Sequence, residues 1–172
     1  GAESPGTDVY LNAGTYSVTV SNVAGSVTSS NATLAVNFPP AVVQVVNTTA
    51  ASGGGVTVPI VLVANGNENA LGFSLDFDPA VLTYASISPG SDAVGAALIV
   101  NTNQAGNGRL GVALALPVEG TFAAGTRQIL QVGFTAAIVT NATSTILSFG
   151  DVPIERQLSG VPGNELPATY AS

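Results

Sequence analysis

Asp76 and Asp78 stand two residues apart in a segment of alternating polarity, which would place both carboxylates on one face of a strand, as an acid pair that attacks glycosidic bonds requires. The rest of the catalytic repertoire is missing. The 172-residue chain has no His and no Cys, and its only basic residues are Arg109, Arg127 and Arg156. Imidazole bases, thiolate nucleophiles and amines for Schiff-base chemistry are therefore excluded. A simpler role suits the two acids better. Asp78 precedes Pro79, so its side chain would accept backbone N–H groups of the turn that follows, and Asp76 is an outward position between Leu75 and Phe77. The chain is expected not to be an enzyme.

Other groups point the same way. Asn65-Gly66-Asn67-Glu68-Asn69 offers oxygen donors for calcium, but lacks the alternating Asp residues and the distal bidentate Glu of a calcium loop. A hairpin turn is the expectation there, with neither metal nor cofactor. The sequons at Asn31, Asn47 and Asn141 are what a chain rich in Asn and Thr produces by chance. Sugar binding by ring stacking needs exposed aromatics. There is no Trp, and Phe73, Phe77, Phe134 and Phe149 fall on inward positions, which leaves Tyr84, Tyr170 and Phe122 to spare.

The elements that carry these residues are strands. Charged residues make up 8% of the chain, against roughly 25% in an average soluble domain. Val, Ile and Thr are frequent, and branched side chains favour the pleated sheet over the helix. Twenty Gly and ten Pro are scattered as turn punctuation. The net charge of -7 offers no basic stripe for nucleic acid or an anionic membrane surface, and no apolar run approaches the roughly 20 residues of a spanning helix. Few charges and many Ser, Thr and Asn suggest a secreted or cell-surface bacterial protein. Gly1 reads as a cleavage scar.

Up to Phe38 the chain reads as one hairpin, beginning near Thr7. Tyr16, Val18 and Val20 alternate with polar residues, Asn22 to Ser26 reverse the chain, and Ala32, Leu34 and Val36 return. Phe38-Pro39-Pro40 closes it and sets a boundary between residues 1–40 and 41–172. Beyond lie nine predicted strands, at 42–47, 55–64, 70–77, 81–88, 97–103, 109–116, 128–137, 145–149 and 166–171. Nine strands in so short a chain predict two packed sheets in jelly-roll or Greek-key order.

Two segments resemble known families. Asn12-Ala13-Gly14-Thr15-Tyr16-Ser17-Val18-Thr19-Val20-Ser21-Asn22-Val23-Ala24-Gly25 resembles the F strand and F–G turn of bacterial immunoglobulin-like domains, with Tyr16 at the tyrosine-corner position and Val18 in place of the Cys. It covers two strands of such a domain, and so a fragment. From Ala41 onward the chain resembles a cohesin. Val56-Thr57-Val58-Pro59-Ile60-Val61-Leu62, Gly72-Phe73-Ser74-Leu75-Asp76-Phe77-Asp78-Pro79-Ala80-Val81-Leu82, Ile87-Ser88-Pro89-Gly90 and Leu147-Ser148-Phe149-Gly150-Asp151 follow the family's patterns in order. The resemblance implies an all-β, nine-stranded jelly-roll sandwich with an immunoglobulin-like hairpin fragment at its N-terminal side. It also implies a dockerin partner seated on the sheet face built around the third, fifth, sixth and eighth strands. Ala70 and Gly72 stand where cellulosomal members carry polar contacts, while Asn101 and Asn103 keep polarity on the fifth strand.

The outward positions of that face are Gly72, Ser74 and Asp76 on the third strand, Gly111, Ala113 and Ala115 on the sixth, and Ile146 and Ser148 on the eighth. Small, weakly polar residues in a place where solvated strands carry Lys, Glu or Thr predict that something covers the surface. A protein–protein binding or adhesion module in a polysaccharide-degrading setting is the leading expectation, and a carbohydrate-binding module on the related fold is the alternative. The hairpin's apolar face predicts that it packs on the body or pairs with a second copy into a homodimer, which the stiff Pro39-Pro40 connection favours.

Overall fold

The computed structural model describes residues 13–172. Residues 7–12 of the expected hairpin, and Gly1, lie outside them. The chain divides into two compact units, one up to Phe38 and the other Pro39–Ser172.

In the first unit β1 (Gly14–Tyr16) pairs with β4 (Ala32–Leu34), and β2 (Thr19–Asn22) pairs with β3 (Gly25–Thr28), both antiparallel. The two short ladders make one hairpin interrupted near Val18. There the Ser29 N–H donates to the Val18 carbonyl, and the Val18 N–H donates to Ser29 Oγ. At the tip, Asn22 Oδ1 accepts the Ala24 N–H at 2.8 Å, and Gly25 takes φ +143°, which a side chain would resist. Val36, read as part of the return strand, lies beyond the end of β4.

The second unit is a sandwich of ten strands. β14 (Ala168–Ala171), β5 (Ala41–Val45), β6 (Gly55–Ala64), β11 (Gly125–Ala136) and β8 (Leu82–Pro89) form one sheet in that order. The other runs β12 (Ser148–Gly150), β7 (Glu68–Asp76), β10 (Arg109–Ala115), β9 (Ala97–Asn101), with β13 (Gln157–Gly160) sharing the edge of β7 with β12. All pairings are antiparallel except β14 with β5. Alternation explains the layers. Ile60 and Leu62 of β6, Leu130, Val132 and Phe134 of β11, Phe73 and Leu75 of β7, and Leu110, Val112 and Leu114 of β10 are all essentially buried between the sheets. Each such side chain contributes about 1.5–3 kcal/mol of apolar burial. Phe149 sets its edge against Phe73 at 5.0 Å between ring centres, as Phe77 does against Phe134.

The expected strands recur within a few residues at their ends, with four corrections. The tenth strand, β13, escaped the sequence reading because Gln157–Gly160 is short and runs into the Gly160-Val161-Pro162-Gly163 turn signal. The strand expected at 145–149 begins only at Ser148, so Ile146 lies in the loop before it, 74% exposed. β9 stops at Asn101, whose Oδ1 accepts the Asn103 N–H at 3.1 Å and bends the chain away, placing Asn103 outside the strand. The turn at 65–67 joins two different sheets rather than closing a hairpin, since β6 and β7 face each other across the core.

Candidate functional site

The outer face of the β7–β10–β9 sheet is ordered in rows by its register. Asp76 lies opposite Arg109. Ser74, Gly111 and Asn101 make the next row, Gly72, Ala113 and Ile99 the third, and Ala70, Ala115 and Ala97 the last. Their neighbours in sequence point into the core, so each row presents its side chains outward.

The first row is an ion pair, Arg109 Nε donating to Asp76 Oδ1 at 2.8 Å. Ser148 pairs with Asp76 from the β12 side, half-buried. Asp78 turns its Oδ1 to the Ala80 N–H at 2.8 Å, the turn-capping role expected of it. Each acid of the candidate pair is thus held in a structural contact of its own.

The second row is covered from within. β12 pairs Gly150 with Ser74, and β13 pairs Gln157 with Gly72. Residues 151–156 leave the edge between them and fold over the outer face as a strap. Ser74 is completely buried beneath it: its hydroxyl donates to the Ile154 carbonyl at 2.8 Å and accepts the Ile154 N–H at 2.9 Å. A Cβ on Gly111 would stand 2.8 Å from Pro153 Cγ and 3.0 Å from Ile154 Cγ1, and one on Gly72 would stand 3.2 Å from Ile154 Cγ2. Glycine is what lets the strap lie this close. This corrects the open face expected from the sequence. Ser74 and Gly111 are closed to any partner, and Gly72 is half covered, because the chain supplies its own cover there.

The strap is clipped at its ends. Arg156 donates Nε and an Nη to the two oxygens of Asp151, each at 2.8 Å, and its backbone N–H reaches Asp151 Oδ1 at 3.0 Å. These donors hold the Asp151 carboxyl down at about 2. The Arg156 guanidinium lies 5.6 Å from the centre of the Tyr170 ring, which also packs on Phe149. Burial pushes the Tyr170 phenol up to about 12.

Past the strap the face stays open. The Gly72–Ala113–Ile99 and Ala70–Ala115–Ala97 rows floor a groove of about 330 Å³ walled by Ile154 and Glu155 of the strap. Ile99 rises from it 69% exposed. Of the residues expected to meet a partner, Ala113 lies in this groove, Asn101 stands at its border half-buried, and Asn103 and Ile146 fall outside the sheet. Ile99, Ile154 and Glu155 were not singled out in the sequence. Ile99 was readable as an apolar residue at an outward position, and the paired glycines signalled a close approach whose source the sequence does not name.

A larger cavity of about 860 Å³ opens at one end of the sandwich, with Val45, Val58 and Leu82 in its floor and the Thr-, Ser- and Asn-rich segment 140–145 on its rim. No charged or aromatic side chain lines it. Among the described residues no group of three or more acidic side chains is placed to hold a metal ion. Glu68, considered for calcium, is fully buried and accepts the N–H groups of Asn65, Gly66 and Asn67 at 2.8, 3.0 and 3.2 Å, so its carboxylate caps the turn between the sheets. Of the aromatics left for sugar stacking, Phe122 is in the core, and Tyr84 and Tyr170 are half-buried.

The family model for the cohesin domain matches residues 41–157. No curated protein matches the chain. Among solved structures, the OlpA cohesin of Clostridium thermocellum, determined in complex with Doc918, superposes with a TM-score of 0.65 at 11% identity, covering 77% of this chain and 95% of that one. A non-cellulosomal cohesin from the archaeon Archaeoglobus fulgidus gives 0.61 at 15% identity, over 77% and 87%. The third ScaC cohesin of Acetivibrio cellulolyticus, in complex with the ScaB dockerin, gives 0.61 at 20% identity, over 76% and 94%. At these identities the superpositions establish the jelly-roll fold.

Proposed function

Because the chain belongs to the cohesin family, we propose that it is a non-catalytic protein-binding module whose partner is a dockerin-type domain, held on the outer face of the β7–β10–β9 sheet. The observation that carries this reading is the open half of that face, two rows of Ala and Gly around an Ile99 that is 69% exposed. A wet isoleucine on a flat, uncharged floor gains apolar burial only when a second surface covers it. The acids that could have supported catalysis are spent on Arg109 and on the Ala80 turn, which supports a binding role over turnover. Secretion or display at a bacterial cell surface, in a setting of polysaccharide breakdown, fits this reading. The carbohydrate-binding alternative is poorly supported, since the sandwich unit offers no fully exposed aromatic ring among the described residues.

The experiment is a calorimetric titration of the chain with each dockerin domain encoded in its source genome, and in parallel with cellotetraose, xylotetraose and chitotetraose. The expected outcome is one-to-one binding of a dockerin with a dissociation constant of micromolar or below, and no heat from the sugars. Sugar binding with no dockerin bound would replace this reading with the carbohydrate-binding one.

We also propose that the hairpin unit pairs with its counterpart in a second chain. Val18, Val20 and Val27 are 65%, 66% and 73% exposed. Val20 lies opposite Val27 in the ladder, so the two form one apolar patch.

A further inference from the structure

The strap formed by residues 151–156 does more than cover a row of the sheet. It is held by the paired bonds between Ser74 and Ile154, by the three donations from Arg156 to Asp151, and by the Arg156–Tyr170 stacking. A segment pinned at its middle and at both ends is a wall and not a lid. It removes the Ser74–Gly111 row from reach, and it lends two residues, Ile154 and Glu155, to the groove that remains.

We propose, resting on the dockerin-type reading above, that the strap is the specificity-determining wall of the binding face. The partner enters the groove between the strap and β9 with an apolar ridge that covers Ile99 and touches Ile154, and it sets a basic group against Glu155. The charge of the molecule supports this choice of partner. Arg109 is paired with Asp76 and Arg156 with Asp151, while Arg127 faces Asp92 and the carbonyls of Ala123 and Ala124. No arginine is left to receive an acidic partner, whereas Glu155 is exposed on the groove wall of a chain with net charge -7. A partner with an acidic rim meets repulsion here and a neutral or basic rim does not. A partner built to reach across the whole sheet collides with Pro153 and Ile154.

The test uses the full chain and the dockerin domains of its source genome as probes, each purified singly. Glu155→Lys should weaken binding of the captured dockerin at least tenfold. The double variant Thr57→Lys/Thr135→Lys adds the same two units of charge on the outer face of the opposite sheet, where both threonines are exposed, and should change affinity less than twofold. Ile99→Asp should weaken binding at least a hundredfold, with an unchanged melting temperature. If Ile99→Asp abolishes binding while Glu155→Lys leaves it intact, the strap is not a determinant and the inference falls while the binding reading stands. Equal losses from Glu155→Lys and from the opposite-sheet variant would reduce the effect to net charge and overturn it as well. If the intact chain binds no dockerin, the binding reading falls and the inference with it.

Discussion

The Ser74 hydroxyl both donates to and accepts from Ile154, so one side chain replaces ladder bonds that residues 151–156 forgo when they leave the sheet edge. Ser74→Ala strands the N–H and the carbonyl of Ile154 against an apolar methyl. Each unsatisfied group costs about 1–3 kcal/mol, so urea unfolding should report a loss of at least about 1 kcal/mol, where an outward serine on an open face would report almost nothing. The Asp151 clip makes a second prediction. Hydrogen bonds from Arg156 lower the folded carboxyl to about 2 from an ordinary 3.8, so the folded state takes up its proton later than the unfolded one. The clip's stabilisation is therefore complete above the ordinary value and is lost as pH falls through about 2. The Arg156 amide resonance should hold steady from pH 7 to 4 and then move with a midpoint near 2, and Asp151→Asn should erase that titration. A midpoint near 3.8 would mean that the clip is open in solution.

At the scale of elements, the strap depends on the glycines beneath it. Gly111→Ala puts a methyl 2.8 Å from Pro153 Cγ, with Ile154 Cγ1 close behind. Overpacking of this kind costs about 1–3 kcal/mol. Amide exchange at Ile154 and Arg156 should speed up by at least tenfold in this variant, while exchange in β6 and β11 is unchanged; slow exchange throughout would show that the strap tolerates the methyl. The same elements show how far the sequence could be read. Period-two alternation placed β6 at Gly55–Ala64 and located β7, β10 and β11, because half-buried strands write their inner face into every second residue. It missed β13 and the strap. An edge strand broken by a loop that returns over its own sheet leaves no periodic trace, and Ser74 looks outward by alternation alone. The small residues read as a surface left free for a partner; that a segment some 80 positions away in the same chain lies over part of it was beyond local reading. Glu68 was hidden for a related reason, since a buried carboxylate that caps backbone N–H groups has the same composition as a polar turn.

At the scale of the molecule, the hairpin unit and the sandwich unit make separate claims. Replacing Val18 and Val20 together with Lys leaves the backbone ladder intact and puts charge into the proposed hairpin contact. Light scattering should give a dimer mass for the intact chain and a monomer mass for this variant, and a monomeric intact chain would end the dimer proposal. The sandwich unit carries the central claim, that the open half of the β7–β10–β9 face receives a protein partner. The direct measurement is an NMR footprint of the isotope-labelled chain with the captured dockerin. Amide shifts confined to Ile99, Ala113, Ala115 and Glu155 and their neighbours, with β5 and β6 of the opposite sheet silent, are the predicted result. Shifts centred on the opposite sheet or on the cavity at the end of the sandwich, with Ile99 and Ala113 unmoved, would contradict it.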